Sequence, residues 1–189
     1  MKSIARTIQF TLWPMLLFAS MQALAAKPVL QIGDVPPNFL GKDGDGDKVN
    51  VTDHKGKVMV VSFFATWCGP CRKEVPVLAS MQKIAGDKLK VVAIDLKEDR
   101  DVVKRVRKLF KDYELTFTHD ANGSISDKFG VESIPHMIII GADGKVASKH
   151  VGYNEANLDK VVADINRVYR ESLEAKAPAI DTSATAPTS

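Results

Sequence analysis

Cysteine and histidine are scarce in this sequence. Its 189 residues include two cysteines, Cys68 and Cys71, and four histidines that are scattered along the chain. A closed zinc site takes about four nitrogen, oxygen or sulfur ligands, so one cysteine pair with distant histidines supports a structural metal site poorly. A bridge between cysteines this close in sequence also closes too short a loop to gain much from chain entropy. We therefore expect the pair to be redox-active.

Neither sign of charge is in clear excess. The chain has 26 Lys and Arg residues against 23 Asp and Glu residues, a formal net charge of +3. Two of the basic residues, Lys2 and Arg6, lie in the N-terminal segment 1–26, so the remainder carries 24 against 23, or +1. Proteins that bind nucleic acid generally carry a basic patch or stripe and a high isoelectric point. The charge balance thus argues against a nucleic-acid partner.

The N-terminus lacks an apolar run long enough to span a bilayer. Its apolar stretch, residues 8–18, is short and contains Gln9 and Pro14. The basic start, the apolar stretch and the small-x-small pattern at 23–25 are typical of an export signal. We expect residues 1–26 to be a signal peptide that is cleaved after Ala25 or Ala26, which places the mature protein in the periplasm without stable membrane insertion. No cysteine follows it that could carry a lipid.

The two cysteines lie in the sequence Trp67-Cys68-Gly69-Pro70-Cys71, directly after the apolar run 58–64. A buried strand followed by a helix would place the first cysteine at the helix N-terminus. There the partial positive charge and the unpaired backbone N–H groups stabilise a thiolate. Cys68 is therefore predicted to be the exposed attacking thiol. Cys71, one turn later, is predicted to resolve the mixed disulfide.

This pentapeptide resembles the active-site signature of the thioredoxin superfamily. The longer sequence 63–71, Phe-Phe-Ala-Thr-Trp-Cys-Gly-Pro-Cys, resembles that of its exported TlpA-like and ResA-like branch, and the segment 33–39 is similar to the opening segment of peroxiredoxin and TlpA-like proteins. The resemblance runs from Gly33 to Tyr169. It implies an α/β thioredoxin-like fold, with a central mixed sheet flanked by helices and an N-terminal β-hairpin extension.

The remaining sequence is consistent with this organisation. We expect one domain over residues 27–172, followed by an Ala, Pro, Ser and Thr-rich tail, 173–189, that is disordered. The apolar patterns predict strands at 89–94, 134–140 and 146–151, and helices at 102–113 and 158–169. Asp143-Gly144 predicts a two-residue hairpin turn between the last two strands.

The resemblance also implies an acid near the cysteines. Thioredoxin has a buried aspartate six residues before its first cysteine, and this chain has Ser62 there, whose hydroxyl cannot accept a proton at neutral pH. Glu74 matches instead a glutamate that TlpA-like and ResA-like proteins carry near the pair. Its i to i+3 spacing places it on the helix face of Cys71. Glu74 is thus either the proton acceptor, which we favour, or a solvated surface residue.

Client contacts are implied by the same resemblance. Ile134-Pro135 resembles the superfamily's Xaa-Pro dipeptide, whose peptide bond is cis and whose loop faces the cysteines. Pro135 would shape this loop, and the backbone of Ile134 would form strand-like hydrogen bonds with a client. Trp67 would shield the exchange site and contact clients. Gly69 and Pro70 complete this surface.

The implied function is that of a periplasmic thiol–disulfide oxidoreductase that reduces protein disulfides without a bound cofactor. Its partners would be client proteins with thiols or disulfides, and a membrane electron donor would keep it reduced. One alternative is a Sco-like copper chaperone, for which His136 could supply a distal ligand, although cysteines in that class are separated by three residues. The other is a thiol peroxidase with antioxidant activity, but the expected Pro-x-x-x-Thr-x-x-Cys is absent because Thr66 precedes Cys68 by two residues.

Overall fold

The computed structural model of this protein describes residues 29–175. The predicted signal peptide, 1–26, lies outside the described residues, and so does the tail from residue 176 onward. Across residues 29–175, no helix is both long and apolar enough to cross a membrane. The described part of the chain covers nearly all of the predicted domain, 27–172.

Within residues 29–175, seven strands form two sheets. They are β1 (Phe39–Lys42), β2 (Lys48–Asn50), β3 (Val58–Phe64), β4 (Leu89–Leu96), β5 (Thr116–Asp120), β6 (His136–Ile140) and β7 (Val146–Val151). The central sheet has the order β5-β4-β3-β6-β7, and β1 pairs with β2 in a separate antiparallel hairpin. β3, β4 and β5 are parallel, whereas β6 is antiparallel to β3 and β7. The predicted central mixed sheet and N-terminal hairpin are thereby confirmed.

β3 forms the middle of the central sheet. All seven of its residues are buried, as expected for a strand that is covered on both faces and is apolar apart from Ser62. Its side chains alternate between the faces, so Met59, Val61 and Phe63 pack into one apolar cluster and Val58 and Val60 into another. The strand therefore anchors the cysteine motif that follows it to both halves of the core.

In the described part of the chain, four helices surround the central sheet. They are α1 (Gly69–Ala85), α2 (Arg100–Leu109), α3 (Ser124–Lys128) and α4 (Leu158–Glu174), with short 3-10 turns at Val51–His54, Gly86–Lys88 and Glu155–Asn157. α1 and α4 cover the face of Val60, where Leu78 and Val161 pack. The predicted helix 158–169 is confirmed, and α4 continues to Glu174.

The opposite face of the sheet is covered by the N-terminal hairpin and α3. Leu40 of β1 and Ile125 of α3 join the cluster around Phe63. The hydroxyl of Thr118, in β5, donates a hydrogen bond of 2.5 Å to the carbonyl oxygen of Leu40. Gly41 follows with a φ of 112°, and a Cβ atom there would lie 2.8 Å from the Cβ of Thr118. The hairpin thus approaches the central sheet at a position where only glycine fits.

The predicted helix over 102–113 is wrong at its C-terminal end. α2 ends at Leu109, whose side chain is 77% exposed, and the backbone N–H of Phe110 donates to the carbonyl oxygens of Val106 and Arg107. Phe110 then turns inward and packs against Phe117 of β5, with 5.6 Å between the ring centroids. The apolar face of the helix is consequently short, because the partly buried Phe110 reaches the core from the turn that follows the helix.

The predicted two-residue turn at Asp143-Gly144 is also wrong. β6 and β7 are joined by residues 141–145, where the backbone N–H of Gly141 donates to the carbonyl oxygen of Lys145. Gly144 has a φ of 83°, and the strand register shifts between Ile139 and Ile140. Longer hairpin loops commonly place glycine in this left-handed conformation next to a bulge. The bulge therefore absorbs the extra loop residues.

Candidate active site

The cysteine pair lies where β3 ends and α1 begins. Cys68 is the N-terminal cap of α1, and its Sγ accepts a hydrogen bond of 3.2 Å from the backbone N–H of Cys71. The two sulfur atoms form a disulfide of 2.04 Å. Gly69 and Pro70 are the first two residues of the helix, a position at which proline is favoured because its missing N–H has no partner there anyway. The strand-to-helix junction predicted from the sequence is confirmed.

Both cysteines are more enclosed than the motif alone suggests. Cys68 is 6% exposed and Cys71 is 0% exposed. The exposed attacking thiol expected at position 68 is therefore largely covered in the disulfide form, because apolar residues including Phe64 and the partly buried Ile134 pack around it. Cys68 still has the greater access of the two. The order of attack and resolution stays a prediction.

The loop before β6 faces the cysteine pair. The Ile134-Pro135 peptide bond is cis, as the sequence resemblance implied. The carbonyl oxygen of Ile134 lies 3.8 Å from Sγ of Cys68. The carbonyl oxygen of Pro135 accepts a hydrogen bond of 2.8 Å from the backbone N–H of Gly152, which ties the loop to the segment after β7. The predicted neighbours of the exchange site are thus brought together.

Trp67 forms the exposed part of this region. Its side chain is 68% exposed, immediately before the nearly buried Cys68. Large apolar side chains that remain exposed beside a reactive group are suited to contact another protein. The guanidinium of Arg72 donates to the carbonyl oxygen of Thr66 at 3.3 Å, which supports the loop that carries the indole.

Glu74 is buried beneath the cysteines. It is 2% exposed, so the surface alternative from the sequence is wrong. The hydroxyl of Ser62, in β3, donates a hydrogen bond of 2.6 Å to its Oε1. Burial raises the pKa of Glu74 to about 7, and the hydrogen bond from Ser62 opposes that rise. The serine at the position of thioredoxin's aspartate therefore orients the glutamate one helical turn after Cys71.

Two further carboxyl groups, those of Glu98 and Asp95, border the active-site loop, and the sequence did not reveal them. Glu98 accepts hydrogen bonds from the backbone N–H and the hydroxyl of Thr66, at 2.6 and 2.5 Å. Burial alone would raise the pKa of Glu98, but the hydrogen bonds from Thr66 lower it below its ordinary value. Its carbonyl oxygen lies 2.6 Å from Nε2 of His119. Glu98 thus holds the loop two residues before Cys68.

Asp95 is the other member of this pair. It is 0% exposed, and its carboxyl group lies next to Glu98. Burial, together with the neighbouring Glu98 carboxylate, raises the pKa of Asp95 to about 8. The group is therefore protonated at neutral pH and can donate to Glu98. An acidic residue inside the otherwise apolar stretch 91–96 was the sequence signal that could have revealed it.

The structure places His136 away from the cysteines. It lies opposite Phe63 in the antiparallel register, and residues that are opposite each other share a face of the sheet. Phe63 faces the N-terminal hairpin, whereas Cys71 packs with Phe64 on the other side. Among residues 29–175, no cluster of three or more His, Cys, Asp or Glu side chains could hold a metal ion. The ligand on which the copper-chaperone alternative relied is therefore not beside the cysteine pair.

A cysteine pair that caps a helix, faces a cis-proline loop and rests on a mixed sheet defines a thiol–disulfide oxidoreductase with a thioredoxin-like fold. Comparison with known families agrees with that class. The chain belongs to the Redoxin family, which matches it over residues 31–167.

Curated relatives and solved structures point the same way. The chain is 38% identical to the thioredoxin-like protein YneN of Bacillus subtilis over 125 residues, which cover 65% of this chain and 73% of that protein. It is 34% identical to the thiol-disulfide oxidoreductase ResA of Bacillus cereus over 131 residues, 68% of this chain and 74% of that protein. A thiol:disulfide interchange protein of the thioredoxin family from Chlorobium tepidum superposes with a TM-score of 0.61 at 28% identity, covering 76% of this chain and 98% of that structure.

Proposed function

We propose that this oxidoreductase reduces disulfides of exported client proteins in the periplasm, with Glu74 as the proton acceptor for Cys71. The observation that carries the proposal is the buried Glu74 carboxyl, held by Ser62 and with a pKa raised to about 7 by burial. A group that titrates near the working pH can both take and return a proton. Glu74 is suited to that role because it follows Cys71 by one helical turn.

The first step is attack on the client. The thiolate of Cys68, stabilised at the N-terminus of α1, attacks one sulfur of a client disulfide and forms an intermolecular disulfide, while the other client sulfur leaves as a thiolate. Trp67 and the backbone of Ile134 contact the client, and Gly69 and Pro70 leave room for its approach. Pro135 keeps this loop positioned beside the cysteines.

Resolution is the second step. Glu74 removes the proton of the Cys71 thiol, and the resulting thiolate attacks Sγ of Cys68. The intermolecular bond breaks, the client leaves with its second thiolate, and the Cys68–Cys71 disulfide forms. Two electrons have then passed from the protein to the client. A membrane electron donor returns them, which completes the cycle.

The reducing direction is supported by two features of the site. Gly69-Pro70 is the dipeptide that reducing thioredoxins carry between their cysteines. A negative charge on Glu74 also disfavours a nearby thiolate, so it makes the reduced form less stable and the dithiol a better reductant. A protein whose thiolate is unusually stable is a strong oxidant, and both features argue against such behaviour here.

Equilibration with glutathione tests the direction. The expected potential lies near that of thioredoxin, about −270 mV, rather than near the −120 mV of a strong periplasmic oxidant. Alkylation of free thiols in cells should find the pair mostly reduced while the membrane donor is intact. A potential near the oxidant's value, or a fully oxidised pair in such cells, would contradict the proposal.

Trapping tests the roles of the cysteines and identifies clients. Cys71→Ala should accumulate disulfide-linked complexes with periplasmic proteins, because the second thiol needed to release the client is missing. Cys68→Ala is the matched control and should trap none. Equal trapping by both variants would refute the assignment. Peroxide turnover and copper titration of the wild-type protein test the two alternative functions. We expect neither peroxide reduction nor copper binding.

A further inference from the structure

Glu74 lines a small cavity on the α4 side of the central sheet. The cavity has a volume of about 170 Å³ and a mostly polar lining. Besides Glu74, its lining includes Met137, His150, Tyr153, Lys160 and Val161. None of the implied client-contact residues lines it. The buried carboxyl group therefore borders a space that a client need not cover.

The strand register explains how Glu74 and His150 come to share this cavity. Ser62 of β3 lies opposite Met137 of β6, and Met137 lies opposite His150 of β7. These three side chains form a row on one face of the sheet, because residues opposite each other point the same way. Glu74 contacts the Ser62 end of the row at 2.6 Å, and His150 forms the other end. Met137 lies between them.

His150 is held at the outer end by α4. Its Nε2 lies 3.0 Å from Oδ2 of Asp164, and the Ser148 hydroxyl donates to the same oxygen at 2.9 Å. The His150 side chain is 11% exposed and that of Asp164 is 22% exposed, whereas Glu74 is 2% exposed. The row thus runs from a buried acid to an imidazole that touches solvent.

We propose that His150 exchanges the proton of Glu74 with solvent through water in this cavity, while a client covers the cysteines. The inference rests on the proposed role of Glu74. In the resolving step the Cys71 proton passes to the Glu74 carboxylate, which becomes a neutral acid. That acid passes the proton through cavity water to the imidazole, and the imidazolium, stabilised by Asp164, releases it to bulk water. No electrons move in this transfer.

The charges around His150 fit transient rather than permanent protonation. Burial lowers the pKa of His150, and the positive charge of Lys160 lowers it further. The carboxylate of Asp164 opposes this decrease. Tyr153 and Glu74 face the cavity from the neighbouring loop and from α1, and Lys149 directs its ammonium group to the carbonyl oxygen of Leu30. With Nε2–H donated to Asp164, Nδ1 is the free acceptor. His150 is therefore neutral at pH 7 and returns a proton readily.

The test measures single-turnover reduction of a protein disulfide by stopped flow, with Trp67 fluorescence as the signal. At pH 7 and below much of Glu74 starts protonated, because its pKa is about 7, and it must release that proton to solvent before it can accept the one from Cys71. His150→Ala should slow the turnover by roughly tenfold near pH 7, less than the hundredfold or more of an acid that acts directly on the reacting atoms. Added imidazole should restore most of the rate, because it can enter the space left by the side chain. His54→Ala is the matched control, since that histidine lies outside the cavity, and it should change neither the rate nor its response to imidazole.

A second variant tests the cavity itself. Val161→Phe should fill it and slow the turnover without rescue by imidazole, whereas Val161→Leu should have a smaller effect. Thermal unfolding establishes that each variant is folded. An unchanged rate in both His150→Ala and Val161→Phe would overturn the proposal. So would a loss in His150→Ala that imidazole does not rescue, because that is the result of a structural role.

A double-variant comparison separates this proposal from the role of Glu74. If His150 acts through Glu74, His150→Ala should cause no further loss in a Glu74→Gln background. Additive losses would overturn the proton route and leave the role of Glu74 intact. A wild-type rate for Glu74→Gln alone would refute the role of Glu74, and with it this inference.

Discussion

At the scale of single residues, burial decides the chemistry of this site. Glu74 and Asp95 are carboxylic acids inside the core, and burial raises the pKa values of both, to about 7 and about 8. Their neighbours differ, because Glu74 receives a hydrogen bond from Ser62 whereas Asp95 lies next to the Glu98 carboxylate. Glu74 is therefore poised to exchange a proton near pH 7, and Asp95 is kept as a neutral acid.

The first prediction concerns Glu74→Gln. The amide keeps the size of the side chain but cannot accept a proton, so reduction of a client disulfide near pH 7 should slow by roughly a hundredfold, the lower end for a positioned base. In the wild type the rate should rise through pH 7 as Glu74 ionises, and the variant should lose that rise. Stopped-flow rates between pH 5 and 9 measure both effects.

The matched control for this variant is Glu171→Gln, the same change at an exposed position of α4. It should leave the rate and its pH dependence unaltered. Removing the charge at Glu74 should also move the thiol titration of the reduced protein to lower pH, because a carboxylate disfavours a neighbouring thiolate. An unaltered titration together with an unaltered rate would refute a role for Glu74.

At the scale of elements, α2 shows how a short helix is limited by its packing. Val103 and Val106 are buried, whereas Leu109 is 77% exposed even though it continues the apolar spacing. The helix ends there, with Phe110 as its C-cap, and the ring of Phe110 packs on Phe117. Periodicity therefore identified the helix but overestimated its length.

The second prediction compares two residues of α2. Val106→Ala should lower the free energy of unfolding by about 1 to 3 kcal/mol, because it removes buried apolar contacts. Leu109→Lys should change it by less than about 0.5 kcal/mol, as for most surface substitutions. Urea denaturation measures both values. A large loss in Leu109→Lys would show that this side chain is buried after all.

The third prediction concerns the docking of the N-terminal hairpin. Gly41 and Gly46 both have positive φ values, 112° and 94°, but only at Gly41 would a Cβ atom meet a neighbour, Thr118. Both alanine substitutions should destabilise the protein by about 1 kcal/mol or more through backbone strain. Gly41→Ala should cost more, since it also forces β1 away from β5. Equal losses in urea denaturation would indicate that the hairpin does not pack as described.

At the scale of the whole molecule, the two buried acids couple stability to pH. Each has a folded-state pKa above its ordinary value, which is 4.5 for Glu74 and 3.8 for Asp95. At pH values between the ordinary and the folded-state pKa, the folded protein therefore binds more protons than the unfolded chain. Stability must then fall as the pH rises through the folded-state values. The stabilisation is fully present below the ordinary pKa values and is lost above about pH 8.

The fourth prediction follows from this linkage. The contribution of the two acids to the free energy of unfolding of the oxidised protein should fall between pH 5 and 8, by an amount on the order of several kcal/mol for the two together. Asp95→Asn and Glu74→Gln should each remove part of this fall. The stability of each variant relative to the wild type should therefore be higher at pH 8 than at pH 5. Urea denaturation across this range measures it. Variants with the same pH dependence as the wild type would contradict the assignment.

The cysteine site and the sheet could be predicted from the sequence because their signals are local. A continuous apolar run predicts a strand buried on both faces, and the motif that follows it contains its own helix start, so Cys68 and Cys71 fall at a strand-to-helix junction. The hairpin loop at 141–145 was misjudged because the bulge that accommodates it depends on pairing between β6 and β7. Local turn residues do not specify that register.

The sequence by itself determined the family, the redox pair and the order of the main elements, since these depend on short motifs and on apolar periodicity. Only the tertiary structure decided that Glu74 is buried, that Ser62 donates to it, that Asp95 and Glu98 meet beside Thr66, and that His150 shares a cavity with Glu74. The physical reason is that the pKa and the partners of a side chain are set by what packs around it. Those neighbours come from strands and helices distant in sequence, and no local pattern encodes their approach.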